Sequence, residues 1–121
     1  MENRTDKCVL ATSGMQADAA ALHKNLIIRL EWYRHQNGKT MSTPAIAQML
    51  ANMLYYKRFF PYYTFNVLAG VDEQGVGCVY SYDAVGSYER VKYSSSGTGQ
   101  TLVQPLLDNQ VIYLYKIQLN N

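Results

Sequence analysis

The sequence predicts an α+β fold built on an antiparallel sheet, and three observations carry that prediction. Apolar residues recur at helical spacing through much of residues 16–57, which gives two consecutive helices. From Thr64 the apolar period drops to two, which gives strands joined by turn segments. The elements are therefore grouped rather than alternating, and grouping excludes a parallel sheet wound through crossover helices. A chain of 121 residues has room for one domain, its 48% hydrophobic content supports a core, and its 17% charged content lies below that of disordered chains.

Lys7–Thr12 is apolar and partly β-branched and runs into Ser13-Gly14, so it reads as a strand entering a turn. A first helix spans Gln16 to His35: Ala19, Leu22, Leu26, Leu30 and Tyr33 form its apolar stripe, with Lys24, Glu31 and Arg34 opposite. Asn37-Gly38 stops it. The second helix starts at Thr43, whose hydroxyl is placed to cap it, with Pro44 at the first helical position. Ile46, Met49, Leu50, Met53 and Leu54 supply its buried face, and Pro61 sets its limit.

Thr64–Val71, Gly77–Tyr82 and Ser87–Tyr93 read as a meander of three strands. Asp72 and Asp83 stand where turns favour a carboxylate that accepts from the backbone two positions on, which accounts for both acids without a catalytic role. Ser94–Gly99 reads as a loop, and Gln100–Leu107 as a short helix that Pro105 ends or kinks.

Chemistry-bearing constellations are sparse. Cys8, His23, His35 and Cys78 stand singly, without the paired spacing of a zinc site, and the two cysteines read as free buried thiols. Both histidines fall on the first helix and read as surface or flank residues. No Gly-x-Ser-x-Gly elbow or P-loop occurs. No apolar run nears the ~18–20 residues that cross a membrane, and the polar start Met1–Asp6 does not lead into a signal-peptide core, so a soluble protein without a membrane partner is expected. The net charge of +2 does not suggest a polyanion ligand.

The densest feature is Tyr55–Tyr63, with six aromatics and two cations in nine residues, from a chain that holds eleven tyrosines. Aromatics interleaved with Lys and Arg suit either base stacking with phosphate contacts or a protein interface. The small net charge favours the interface or core packing, so no nucleic-acid partner is expected.

At this segment the sequence resembles a known family. Lys57-Arg58-Phe59-Phe60-Pro61-Tyr62-Tyr63, then Asn66–Gly75, then Gly77–Arg90 with its Asp-Ala-Val-Gly-Ser-Tyr string, and finally Leu107-Asp108-Asn109-Gln110-Val111 together resemble proteasome β-subunits, in order, from about Thr5 to Val111. The resemblance implies the N-terminal nucleophile hydrolase fold, two antiparallel sheets flanked by helix layers, here incomplete. Residues 1–111 would form a partial β-type domain and residues 112–121 a tail outside the family pattern.

Active members use an N-terminal threonine with a lysine on an early strand. The resemblance begins beyond both, and the class matched is a non-catalytic position in the ring, so the expectation is no catalytic residue, no cofactor and no metal. The alternatives are a threonine-type endopeptidase subunit by family membership, or an aromatic, basic nucleic-acid-binding module. The expected partners are other proteasome α- and β-subunits, in cytoplasm and nucleus, with residues 16–57 toward α-subunits and residues 98–107 toward the facing ring. Arg58, Phe59, Phe60 and Tyr62 are the candidate interface residues, while the junction tyrosines Tyr55, Tyr56, Tyr62 and Tyr63 and the sheet tyrosines Tyr80, Tyr82, Tyr88 and Tyr93 are expected to mark a packed sheet and its entrance.

Overall fold

The computed structural model describes residues 2–5, for the backbone, and residues 7–120. Met1, Asp6 and Asn121, which enter the readings of the polar start and of the tail, lie outside the described residues. Five strands, β1 (Glu2–Thr5), β2 (Cys8–Gly14), β3 (Thr64–Val71), β4 (Gly77–Tyr82) and β5 (Tyr88–Val91), form one antiparallel sheet in sequence order. Helices α1 (Gln16–Asn37) and α2 (Thr43–Tyr56) are inserted between β2 and β3, and α3 (Gln100–Leu119) follows the sheet. The described residues therefore hold an α+β arrangement with one antiparallel sheet.

Strand alternation decides where the core lies. Cys8, Gly70 and Cys78 stand in one row across β2, β3 and β4, and Leu10, Leu68 and Tyr80 in the next. These rows face α1 and α2, which close over them with Leu22, Leu26, Leu30, Ile46, Leu50 and Leu54. The opposite face presents Val9, Ala69, Val79 and Val91 in one row, all half-buried.

Four details differ from the sequence reading. Strand β1 is an addition: its polar, non-alternating residues give no periodic signal, yet Glu2 pairs with Leu10 and Asn3 with Val9. The cap of α2 is Ser42, whose hydroxyl accepts from the Ala45 N–H at 3.4 Å, and not Thr43. Thr43 is buried and its hydroxyl donates to the Val71 carbonyl at 2.8 Å, so a tertiary bond claims the side chain that looks like the cap. The third element of the meander is shorter than Ser87–Tyr93, because Ser87 closes the preceding turn onto Asp83.

Helix α3 does not end at Leu107. It continues through Pro105 to Leu119 with no buried residue. Proline removes one N–H from the ladder, but on a helix this exposed the released carbonyl is left to water. Elsewhere the local signals hold. Gly38 ends α1 at φ 66°, a left-handed conformation that favours glycine, and its N–H reaches the Arg34 carbonyl. Asp72 accepts from the N–H groups of Gln74 and Val76, and Asp83 from those of Val85 and Ser87, so both are turn residues. The Val76 N–H is the main reason the Asp72 carboxyl lies below its ordinary range, with Gln74 and Arg90 adding to it.

Candidate subunit interface

The aromatic string occupies the passage from α2 into β3. Lys57 caps α2 with its N–H on the Leu54 and Tyr55 carbonyls, and Arg58 N–H follows onto Tyr55. This tight exit leaves Phe59 and Phe60 pointing into solvent, 87% and 84% exposed. Pro61 then favours extended backbone, from which β3 begins at Thr64.

The string divides into two populations. Tyr62 turns inward, 7% exposed, and its hydroxyl accepts from Asn25 Nδ2 at 3.1 Å. Tyr55, Tyr56, Tyr63, Phe59 and Phe60 remain at the surface. Of the four candidate interface residues, the structure thus keeps Arg58, Phe59 and Phe60 together outside and places Tyr62 in the core, where it ties β3's approach to α1. A string of nine residues alternates poorly with either helix or strand, so sequence spacing does not separate these roles.

Arg58 is held between rings, its guanidinium 4.4 Å from the Tyr55 ring centre and 4.5 Å from that of Phe59. Its Nη1 also donates to the Tyr55 carbonyl. Such stacking fixes a long side chain in advance, which lowers the entropy lost when a partner covers it. Lys57 likewise lies over the Tyr62 ring at 4.4 Å. On α1, Ile27, Ile28 and Trp32 are exposed as well, so the outer face of both helices carries large apolar side chains.

The sheet tyrosines behave differently from the junction. Tyr80 and Tyr82 are buried, and the Tyr88 ring stacks on Tyr82 at 5.3 Å. The expectation that the junction tyrosines are packed holds for Tyr62 but not for Tyr55, Tyr56 and Tyr63.

One polar group with chemical potential was missed from sequence. His23 is half-buried, and its Nε2 lies 2.6 Å from Thr12 Oγ1. Thr12 donates its single proton to Asn66 Oδ1 at 2.9 Å, and Asn66 in turn donates to Thr64. The imidazole is then the donor toward Thr12, the reverse of a general base drawing a proton from a nucleophile. His23 and Thr12 are eleven residues apart across a strand, a turn and a helix, so nothing in local spacing announces them. Among the described residues no group of three or more His, Cys, Asp or Glu is placed to hold a metal, and no helix is long and apolar enough to cross a membrane.

A proteasome-subunit family model matches residues 3–117. The chain belongs to the proteasome subunit family. It is 71% identical over 107 residues to a Dictyostelium discoideum protein named proteasome subunit beta type-1, and 64% identical over 106 residues to one of that name from Oryza sativa subsp. japonica. A Danio rerio proteasome subunit beta type-1 is 50% identical over 107 residues. Each match covers 88% of this chain but only 45%, 48% and 45% of the three relatives. The chain thus spans a little under half the length of these proteasome relatives. The family match runs six residues past Val111, into the stretch that the sequence reading set aside as a tail.

Proposed function

We propose that this chain is part of a structural, non-catalytic subunit of the 20S proteasome core, acting in ring assembly and thereby in proteasomal protein breakdown. The observation that carries the reading is the 71% identity, across 107 residues, to a protein named proteasome subunit beta type-1. Exposed Arg58, Phe59 and Phe60 support it, because rigid aromatics and a stacked arginine are the side chains enriched at protein interfaces. Within the same reading, the row Val9, Ala69, Val79 and Val91 is the face that packs on a second sheet, completing a nucleophile-hydrolase sandwich. The partners are then proteasome α- and β-subunits, the location is cytoplasm and nucleus, and peptide hydrolysis belongs to other subunits.

Expression of the tagged chain in Dictyostelium cells tests this reading. The tag is expected to sediment with 20S particles and to co-purify with α- and β-subunits, without raising the peptidase activity per particle. A tag confined to free, low-mass fractions overturns it.

A further inference from the structure

The helical layer carries a charge excess that the rest of the chain does not share. Six of the eleven Lys and Arg residues, but only Asp18 and Glu31 among nine acids, fall between residues 16 and 63. Both acids are engaged: Asp18 accepts from the Tyr63 N–H at 2.9 Å, and Glu31 pairs with Arg34 at 2.8 Å. Among the described residues, Lys24, Arg29, Lys57 and Arg58 have no carboxylate within ion-pair distance. Two of these cations meet at one place. Arg29 from α1 and Lys57 from the end of α2 line a groove of about 280 Å³, together with Ile28, Met53, Tyr56 and Tyr62.

We propose that this groove docks an acidic segment of a partner protein, an aliphatic or aromatic side chain entering it while a flanking carboxylate meets Arg29 and Lys57. The inference rests on the subunit reading above and goes beyond it by naming the chemistry of the surface opposite. Covering Arg29 and Lys57 with a neutral or basic surface strips two cations of water with no counter-charge in return. An acidic partner supplies the counter-charge and is steered toward the patch before contact. A nucleic acid fits less well. Exposed rings stand nearby at Tyr55, Tyr56 and Phe59, but the four cations fall short of the phosphate contacts that usually anchor a nucleic acid.

The test uses the full chain, immobilised at low density, and four probes. These are the hexapeptide EDLFDE, its amide counterpart QNLFNQ, an oligothymidylate, and phosphatidylcholine vesicles containing phosphatidylserine. The acidic peptide is expected to bind at least about tenfold more tightly than its amide counterpart, with the preference shrinking severalfold as salt screens it. The double variant Arg29→Glu with Lys57→Glu loses the preference, whereas Arg29→Lys with Lys57→Arg keeps it, which separates charge from folding.

Equal binding of the two peptides, a preference for oligothymidylate or vesicles, or an unchanged preference in the charge-reversed variant overturns the proposal. Sedimentation with 20S particles reads the subunit assignment separately. A chain that prefers the acidic peptide but stays out of particles fails that assignment alone. One that enters particles without the preference fails this inference alone.

Discussion

Thr43 lies directly over Gly70. A Cβ at position 70 would come within 2.6 Å of Thr43 Oγ1 and 2.5 Å of the Lys7 carbonyl, so only glycine lets α2 start this close to the sheet. The same hydroxyl donates to Val71, which locks the first turn of α2 onto the end of β3. Gly70→Ala is therefore expected to destabilise the fold by about 1–3 kcal/mol through overpacking, because one of the two obstructing atoms is backbone. Thr43→Val, which keeps the shape and removes the bond, is expected to cost about 1 kcal/mol. Pulse proteolysis at high dilution ranks the two. A Gly70→Ala chain as stable as the parent would show that the row Cys8, Gly70, Cys78 does not pack against α2 as described.

A second tie between α2 and the sheet comes from Tyr82, whose buried hydroxyl donates to the Ala47 carbonyl at 2.6 Å. Ala47 sits inside a helix, where its carbonyl also serves the α2 ladder, so the acceptor is not stranded when the hydroxyl is removed. Tyr82→Phe is accordingly expected to cost about 1 kcal/mol, while Tyr82→Ala is expected to cost about 3–5 kcal/mol by leaving a cavity. Near-equal losses for the two variants would mean that the bond, and not the ring, does most of the holding.

These ties explain which parts of the fold were legible in the sequence. Helix α2 was readable because Ser42-Thr43-Pro44 and the Ile46, Leu50, Leu54 spacing are local signals that tertiary structure obeys. Which of two adjacent hydroxyls caps it was not, since Val71, twenty-eight positions away, decides the matter. The Asp72 and Asp83 turns were readable for the same reason as α2, each acid binding N–H groups two and four residues on. The length of α3 was not, because a proline penalty counts fully only where the lost bond cannot be replaced by water. At the interface, composition located the aromatic string but not its division. The inward turn of Tyr62 depends on Asn25 across the helical layer, and the outward turn of Phe59 and Phe60 on the abrupt exit from α2.

The two thiols predict a pH dependence. Burial pushes the Cys8 thiol from 9.0 up to about 11, with a hydrogen bond to Thr43 opposing and the charge of Cys78 adding to it. Burial also raises Cys78, Tyr80 and Tyr82. A folded-state pKa above the unfolded one means that the unfolded chain loses its proton first as pH rises. The stabilising contribution is therefore complete below about pH 9 and is lost through about pH 11, on the order of 2 kcal/mol from Cys8. Denaturant midpoints are expected to fall across that window and to fall less steeply in Cys8→Ala. At neutral pH neither thiol is expected to react with iodoacetamide at the rate of a free cysteine. Rapid alkylation of Cys8 in the folded chain would contradict its burial.

Phe59 and Phe60 give the cleanest separation of surface from core. Since both rings stand in water, replacing them with Ser is expected to change stability by no more than about 0.5 kcal/mol each. Tyr62→Ala, one residue past Pro61, is expected to cost about 3–5 kcal/mol. On the proposed subunit reading, incorporation into 20S particles is expected to fall in the Phe59→Ser, Phe60→Ser chain although its stability is kept. A Phe59→Ser, Phe60→Ser chain that is stable and still enters particles at parental efficiency would remove this ridge from the assembly surface.

The exposed area itself predicts how the isolated chain behaves. A folded monomer of 13.7 kDa is expected to expose about 6,600 Å². This chain exposes 8357 Å², with the length of α3, the α1–α2 exterior and the Phe59–Phe60 ridge contributing large apolar side chains. The surplus, about 1,800 Å², is roughly twice what one partner contributes to a standard protein–protein interface. Large apolar side chains gathered on an exposed surface are rarely left open in a soluble monomer. At micromolar concentration the isolated chain is therefore expected to self-associate, to bind anilinonaphthalene sulfonate, and to lack the sharp thermal transition that the dilute monomer keeps. Analytical ultracentrifugation across a hundredfold dilution series checks this. A concentration-independent monomer with one cooperative melt would show that α3 and the outer sheet face tolerate water, and would remove the argument that these surfaces await a partner.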